Sequence, residues 1–368
     1  MTSRRPPSSS PSRGPSRRRF LQGGAALGAA ALTGCLPDVD GLWKGEAVAP
    51  CGESPARALP ALGPNAGRVV ELHDPALVSE TAVDARRVGE ALTRVLLALA
   101  RAADLRAACR ALFPSYKPGE VVGIKVNVLN ARVPTQPALV KALVDALRSG
   151  LGLAPEQLLV WDRRLDELRQ VQLGPGALGA TVEGTWETPE GKGAGRGYEL
   201  GATCIGGRST HLSNIVTRRV DHLVNLAVMK NHKAAGFTGV LKNVYGLIDN
   251  PGDFHDRKSG EAVLERRFEE AIPAINALPE VGGKTRLYLL DALIGVCKGD
   301  TSDPPDCTPA RLLAALDPVA LDVRGRQLRD EARGPRLGPS TETISSGWLA
   351  AAERAGLGSP KVKLEPAS

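Results

Sequence analysis

Four short apolar runs each end in polar residues, and this repeat limits the fold more than any other feature of the chain. They are VVGIKVN (121–127), QLLVWD (157–162), HLVNLAVMK (222–230) and TRLYLLD (285–291). Runs of this length, largely apolar and lacking strict alternation, read as strands buried on both faces. Helix-spaced segments lie between them. Val88, Leu92, Val95, Leu96 and Leu99 recur at helical spacing within a stretch from 84 to about 112. PALVKALVDALRS begins at Pro137, a residue suited to a first helical turn. Further helices are expected over about 238–248 and 261–278, after RLLAALD (311–317) through about 329, and near 346–355, with RVVELH (68–73) as an additional strand. This alternation predicts an α/β fold, a mostly parallel sheet with helices on both faces in three layers. No self-similarity at periods of roughly 20–50 residues is present, which sets solenoids and propellers aside.

In open α/β sheets, ligands bind beyond the carboxyl ends of the strands. Here those ends offer Lys125 and Asn127, then Asp162, then Lys230, then Asp291. A buried strand does not welcome such groups unless they are paired or sit at the rim. The densest stretch is MKNHKAAGFTGVLKN (229–243), where Lys230 leaves the strand and His232 follows two residues later. On the helix expected next, Gly239, Asn243 and Gly246 share one face, and Val240, Val244 and Ile248 share another. Glycines on the first face allow close approach, and a helix N-terminus favours an anion. Lys230, Lys242, Lys125, His232, Asn127, Asn225 and Asn243 together suit a phosphate, a carboxylate or a developing oxyanion. The competing reading is that the glycines only permit tight packing while the lysines reach outward to water.

Among the candidate roles, His232 is the acid–base group because its ordinary pKa lies near neutrality, with Lys230 and Lys242 supplying charge. Asn127, Asn225 and Asn243 would orient the ligand, and Asp162 or Asp291 would position a lysine or hold a cation. DNPGDFHDRKSG sets His255 between Asp253 and Asp256, so His232 and His255 are weak metal candidates, without H-x-x-x-H or H-E-x-x-H spacing. G-x-S-x-G is absent, which argues against Ser/His/Asp hydrolysis. GKGAGRG (191–197) lacks phosphate-loop spacing and reads as a surface loop.

The first 34 residues look like an address. SRRRFLQGG, with Arg17, Arg18, Arg19, Phe20 and Leu21, resembles a twin-arginine export signal. AALGAAALTG behind it is too short to span the roughly 30 Å hydrocarbon core. LTGC resembles a lipobox, which makes Cys35 the lipidated N-terminus of the mature chain. Residues 35–66, rich in Pro, Gly and Ala, read as a tether, with the folded domain over 67–368. The leader holds six arginines and no acid, so removing it lowers the formal net charge from +7 to about +1. With aromatics at 4% as well, nucleic acid is not an expected partner. The remaining cysteines, Cys51, Cys109, Cys204, Cys297 and Cys307, form no C-x-x-C. Cys297 and Cys307 either pair across their loop or remain thiols.

K-x-N after a strand, P-x-L-V-x-A-L, D-x-x-V-N-L-x-V-x-K-x-H, G-x-x-G-x-L-K-N-x-Y-G and L-D-P-V-A-L-D together resemble the DUF362 family, from about 121 to 322. The resemblance adds weight to Lys125, Asn127, Asn225, Lys230, His232, Lys242, Asn243 and Asp291. Several members of that family carry a ferredoxin-like cysteine cluster. Without C-x-x-C, a 4Fe-4S cluster is not expected here, and the cofactor is left open. The expectation is an extracytoplasmic protein, in the periplasm or cell envelope, exported by the twin-arginine translocase and held to the membrane by an N-terminal lipid. It would hold a small anionic ligand, either as an oxidoreductase or acid–base enzyme acting on a phosphorylated or carboxylated molecule, or as a binding protein without turnover.

Overall fold

The computed structural model describes residues 51, 59, 61–187, 197–259, 262–334 and 347–367. The chain divides into two units, Met1–Glu46 and Ala47–Ser368, and all the described residues belong to the second. Cys35 and most of GKGAGRG lie outside them.

One nine-stranded sheet organises the fold. Its strands are β1 (Arg68–His73), β2 (Val122–Lys125), β3 (Leu158–Asp162), β4 (Thr181–Gly184), β5 (His222–His232), β6 (Gly236–Thr238), β7 (Thr285–Val296), β8 (Arg311–Ala315) and β9 (Lys363–Pro366). Their order is β9-β1-β8-β7-β5-β2-β3-β4, with β6 pairing onto β5. The stretch from β7 through β5, β2 and β3 to β4 is parallel throughout. Only β8 and β6 run against their neighbours' common direction. The sheet is therefore mostly parallel, as the continuous apolar runs imply.

Period-two geometry sends alternate side chains of these strands into two cores. On one face Val122, Ile124, Leu158, Val160, Val224 and Leu226 join helices α1 (Ala85–Ala100), α2 (Leu105–Leu112) and α3 (Pro137–Leu151). On the other, Leu159, Trp161, Leu223, Ala227 and Met229 meet α4 (Arg267–Ala277), α5 (Pro318–Arg333) and α6 (Gly347–Arg354). The three-layer arrangement follows from these two clusters.

Local signals explain several boundaries and correct others. The stretch from 84 to 112 is two helices, because Asp104 caps the second through the Ala107 N–H (2.8 Å) after Arg101 turns left-handed (φ 52). Helix α5 begins with Asp317 as its cap and Pro318 at the first turn. The Asp317 carboxylate also takes the Gly67 and Ser359 N–H groups, tying the β1 and β9 segments to that helix. The expected helix over 261–278 is a short strand, Ala262–Glu265, followed by α4.

The largest correction concerns AAGFTG. Strand β5 runs on to His232, turns, and returns as β6, with Lys230 opposite Thr238 and His232 opposite Gly236. Gly236 sits at φ 75, where a side chain would be strained. The expected helix from 238 to 248 shrinks to one turn, Val240–Asn243, continued as a tighter helix over Val244–Leu247.

Two disulfides form among the described residues, one of them at the pair whose state the sequence left open. Cys297 pairs with Cys307, and Cys51 pairs with Cys204, which fastens the stretch read as a tether to a surface hairpin. Cys109 is a buried free thiol.

Candidate functional site

Register builds the site. Parallel pairing sets Lys125 of β2 beside Asn225 of β5 on one side and Trp161 of β3 on the other, one residue before Asp162. Lys125 and Asp162 thus leave adjacent strands at the same level, and the Lys125 Nζ donates to Asp162 Oδ1 at 2.8 Å. Asp162 also accepts from the Val128 and Arg163 N–H groups, each at 2.8 Å. Both side chains are almost wholly buried, and only a pair this well bonded offsets the desolvation of two charges.

The turn Val240–Asn243 lies over this pair. Asn243 Nδ2 donates to Asn225 Oδ1 at 2.8 Å, and Asn225 Nδ2 donates to the Val240 carbonyl at 2.8 Å. Asn243 Oδ1 faces both Lys125 Nζ (3.5 Å) and Asn127 Nδ2 (3.4 Å). Gly246 is required by proximity, since a Cβ there would stand 2.7 Å from Lys125 Nζ and 3.1 Å from Asp162 Oδ1. A loop closed by Thr135, which accepts the Asn127 N–H at 2.9 Å, holds Asn127 in place.

Lys230 completes the set. Its Nζ donates to Asn127 Oδ1 at 2.8 Å, and it donates no second hydrogen bond to any described residue. Its side chain is 2% exposed. Burial pulls the Lys230 pKa down to about 7, although the carboxylates of Asp162, Asp291 and Glu167 oppose the shift. Burial likewise pushes Asp291 up to about 6, against hydrogen bonds from the Gln136 (2.8 Å) and Leu293 (3.0 Å) N–H groups. Glu167 is driven up to about 8 by burial and by the nearby Asp162 charge. Burial thus moves all three groups toward neutrality.

The structure thus brings together Lys125, Asn127, Asp162, Asn225, Asn243 and Lys230, with Asp291 capping α3 beside them. They form a hydrogen-bonded network of which half-buried Asn127 is the most exposed member. Two of the expected site positions already have partners within the protein. The anion at the Gly239 turn belongs to the protein itself: Asp322 accepts the Val240 (2.7 Å) and Leu241 (2.9 Å) N–H groups, and a Cβ at Gly239 would collide with it. His232 caps the β5–β6 turn, its Nδ1 accepting the Ala234 and Ala235 N–H groups, each at 3.1 Å.

His232 and Lys242 belong to a second set, with His255, Tyr245 and Phe268. The two imidazoles stack at 5.7 Å, and the Lys242 ammonium lies 4.5 Å from the Tyr245 ring centre. Burial and the Lys242 charge push His255 down to about 3. His255 Nδ1 faces the Pro251 carbonyl (3.0 Å) and Nε2 faces Lys242 Nζ (3.5 Å), so neither nitrogen is open to the metal suggested for His232 and His255. Cys297, Asp306 and Cys307 cluster closely enough to hold a metal, but the two sulfurs are joined in the disulfide.

Sequence reasoning missed Glu167 and Asp322. Asp322 had a signal, as the final residue of L-D-P-V-A-L-D; Glu167 sits in an ordinary helical segment and had none.

Comparison with known proteins places this chain in a family. The family model described as "Domain of unknown function (DUF362)" matches residues 122–325, and that for the twin-arginine translocation pathway signal sequence matches residues 14–34. No curated protein matches the chain. A crystal structure of a Thermotoga maritima protein from the Northeast Structural Genomics Consortium aligns at 12% identity and a TM-score of 0.36. The alignment covers 72% of this chain and 59% of that one. Among the described residues no helix is long and apolar enough to cross a membrane. The family match spans more than half of the sequence, so the chain belongs to the DUF362 family, and its signal directs export by the twin-arginine route.

Proposed function

We propose that this exported DUF362 protein binds a small carboxylated or phosphorylated molecule where Asn127 and Lys230 meet, and performs an acid–base step on it. The observation that carries the reading is Lys230: a buried amine with one hydrogen-bond partner and a pKa of about 7. A group poised near the working pH both accepts and returns protons efficiently. Lys230 takes the role first given to His232, whose Nδ1 is occupied by its turn. Glu167, its pKa raised to about 8 by burial against the opposing charge of Arg164, is the partner acid. Lys125, fixed by Asp162, and the amides of Asn127, Asn225 and Asn243 orient the ligand. Acid–base chemistry is preferred to oxidoreduction because the groups gathered here are proton carriers.

A bound anion favours ammonium over amine, so binding near neutral pH takes up a proton. The test is a thermal-shift screen of carboxylates and phosphate esters, followed by calorimetric titration of hits in buffers of different ionisation heat. Wild type takes up a proton on binding, and Lys230→Met loses both the uptake and most of the affinity. Equal affinity in the two proteins overturns the reading. Binding with proton uptake but no chemical change in the ligand favours the second reading, a binding protein, which the closed and mutually satisfied Lys125–Asp162–Asn243 network supports. The same proposal anchors the exported chain to the membrane through a lipid on Cys35, tested by fatty-acid labelling of wild type and Cys35→Ser.

A further inference from the structure

The chain between Cys297 and Cys307 belongs to neither core, yet it is tied to both segments that carry the proposed ligand contact. Strand β7 ends at Val296, which pairs with Lys230, and the next residue is Cys297. From there the loop is held in two places. Asn231, immediately after Lys230, donates its side-chain N–H to the Gly299 carbonyl, and the Lys233 N–H donates to Asp300 Oδ1 at 3.0 Å. Asn130, three residues after Asn127, donates from Nδ2 to the Thr301 and Asp303 carbonyls, each at 2.8 Å. The loop therefore bridges the chain segments that carry Lys230 and Asn127. Asn130 and Asn231 are 3% and 0% exposed beneath it. Apolar support is small: Val133, Val228 and Val296 form a three-residue cluster of their own.

The base of the loop is hydrogen-bonded as well. Asp306 accepts the Cys297, Lys298 and Gly299 N–H groups, and Gly295 exchanges backbone hydrogen bonds with Asp306 and Cys307. Segments held by a few hydrogen bonds and little apolar area open locally at low free energy, and a cross-link at their base removes most of the open conformations.

We propose that residues 298–306 form a strap over the Lys230–Asn127 site, latched by the Cys297–Cys307 disulfide and released when a dithiol reduces it. Half-buried Cys307 is the accessible sulfur, whereas Cys297 is fully buried. A thiolate of the dithiol attacks the Cys307 sulfur and expels the Cys297 thiolate. Its second thiol then resolves the mixed disulfide and expels the Cys307 thiolate. Two electrons pass from the dithiol to the protein, both cysteines end as thiols after protonation, and the reductant becomes a cyclic disulfide. In the oxidising compartment beyond the export machinery the strap is closed by default. The proposal rests on the reading of Lys230 as a ligand-facing group, but its test does not need the ligand.

The full mature protein is reductively methylated with formaldehyde and cyanoborohydride, and the modification of Lys230 is followed by peptide mass mapping, with exposed Lys141 as reference. Four samples are compared: oxidised wild type, wild type reduced with dithiothreitol, Cys297→Ser/Cys307→Ser, and Cys51→Ser/Cys204→Ser. Reduced wild type and the Cys297/Cys307 variant should modify Lys230 about tenfold faster or more than oxidised wild type, with the Cys51/Cys204 variant as slow as the latter. Equal rates in all four, or acceleration that follows the Cys51–Cys204 bond, overturn the strap. Should the Cys297/Cys307 variant fail to fold, Asn130→Ala with its disulfides intact must also accelerate Lys230, and failure to do so is equally fatal. Gated labelling without Lys230-dependent ligand binding keeps the strap and removes the proposed function. Lys230-dependent binding with ungated labelling does the reverse.

Discussion

Replacing Lys230 by methionine isolates the cost of a buried ammonium. Methionine has similar length and no charge, so the substitution removes the ionisation and leaves most of the packing. In wild type the folded pKa is about 7, below the ordinary lysine value of 10.5. The folded protein therefore binds fewer protons than the unfolded chain between these two values, and stability rises with pH across that window. Below pH 7 the group is charged in both states and the full penalty is felt; above 10.5 it is neutral in both and the penalty has gone. Integrating the linkage from about pH 6 to about pH 9.5 gives wild type roughly 3 kcal/mol of additional stability from this one group. Urea denaturation of oxidised wild type and Lys230→Met at the two pH values reads that difference directly. The variant's gain over the same interval should be smaller by roughly 3 kcal/mol, and at the lower pH the variant should be the more stable protein. Parallel profiles would refute the reasoning, because they would mean that the Lys230 ammonium is solvated in the folded state.

Removing one partner of the Lys125–Asp162 pair, by Lys125→Met or Asp162→Leu, should cost about 3–5 kcal/mol in the same assay, and the double replacement should recover much of it. Gly246→Ala drives a methyl group against Lys125 Nζ, so it should lower stability by about 1–3 kcal/mol while disturbing the same network, seen as loss of the Lys230-dependent binding. Asp322→Ala leaves the Val240 and Leu241 N–H groups unbonded and should cost about 2 kcal/mol near neutral pH. Because burial raises Asp322 from 3.8 to about 7, its contribution is fullest below 3.8 and falls as pH climbs through 7; a chemical denaturation series that grows steeper instead would contradict this.

What the sequence determined by itself is the layer order and the edge where polar residues gather. Local pattern is enough for this: apolar runs buried on both sides need helices above and below, and polar residues accumulate where each run emerges. The residue types of the network, Lys125, Asn127, Asp162, Asn225, Lys230 and Asn243, were visible for the same reason. Tertiary structure decided which of them meet. Register set Lys125 beside Asn225, and a hairpin consumed His232 as a turn cap. A carboxylate from a distant helix, Asp322, filled the anion position at Gly239. The His232 cap is a local turn, but the other two outcomes depend on which strands become neighbours and on contacts between residues about eighty or more positions apart, such as Asp322 with Val240. Helical and strand periodicities reach only a few residues along the chain, so no local pattern could contain them. Nor could it contain the burial that brings Lys230 to neutrality, since desolvation belongs to the assembled site and not to the lysine.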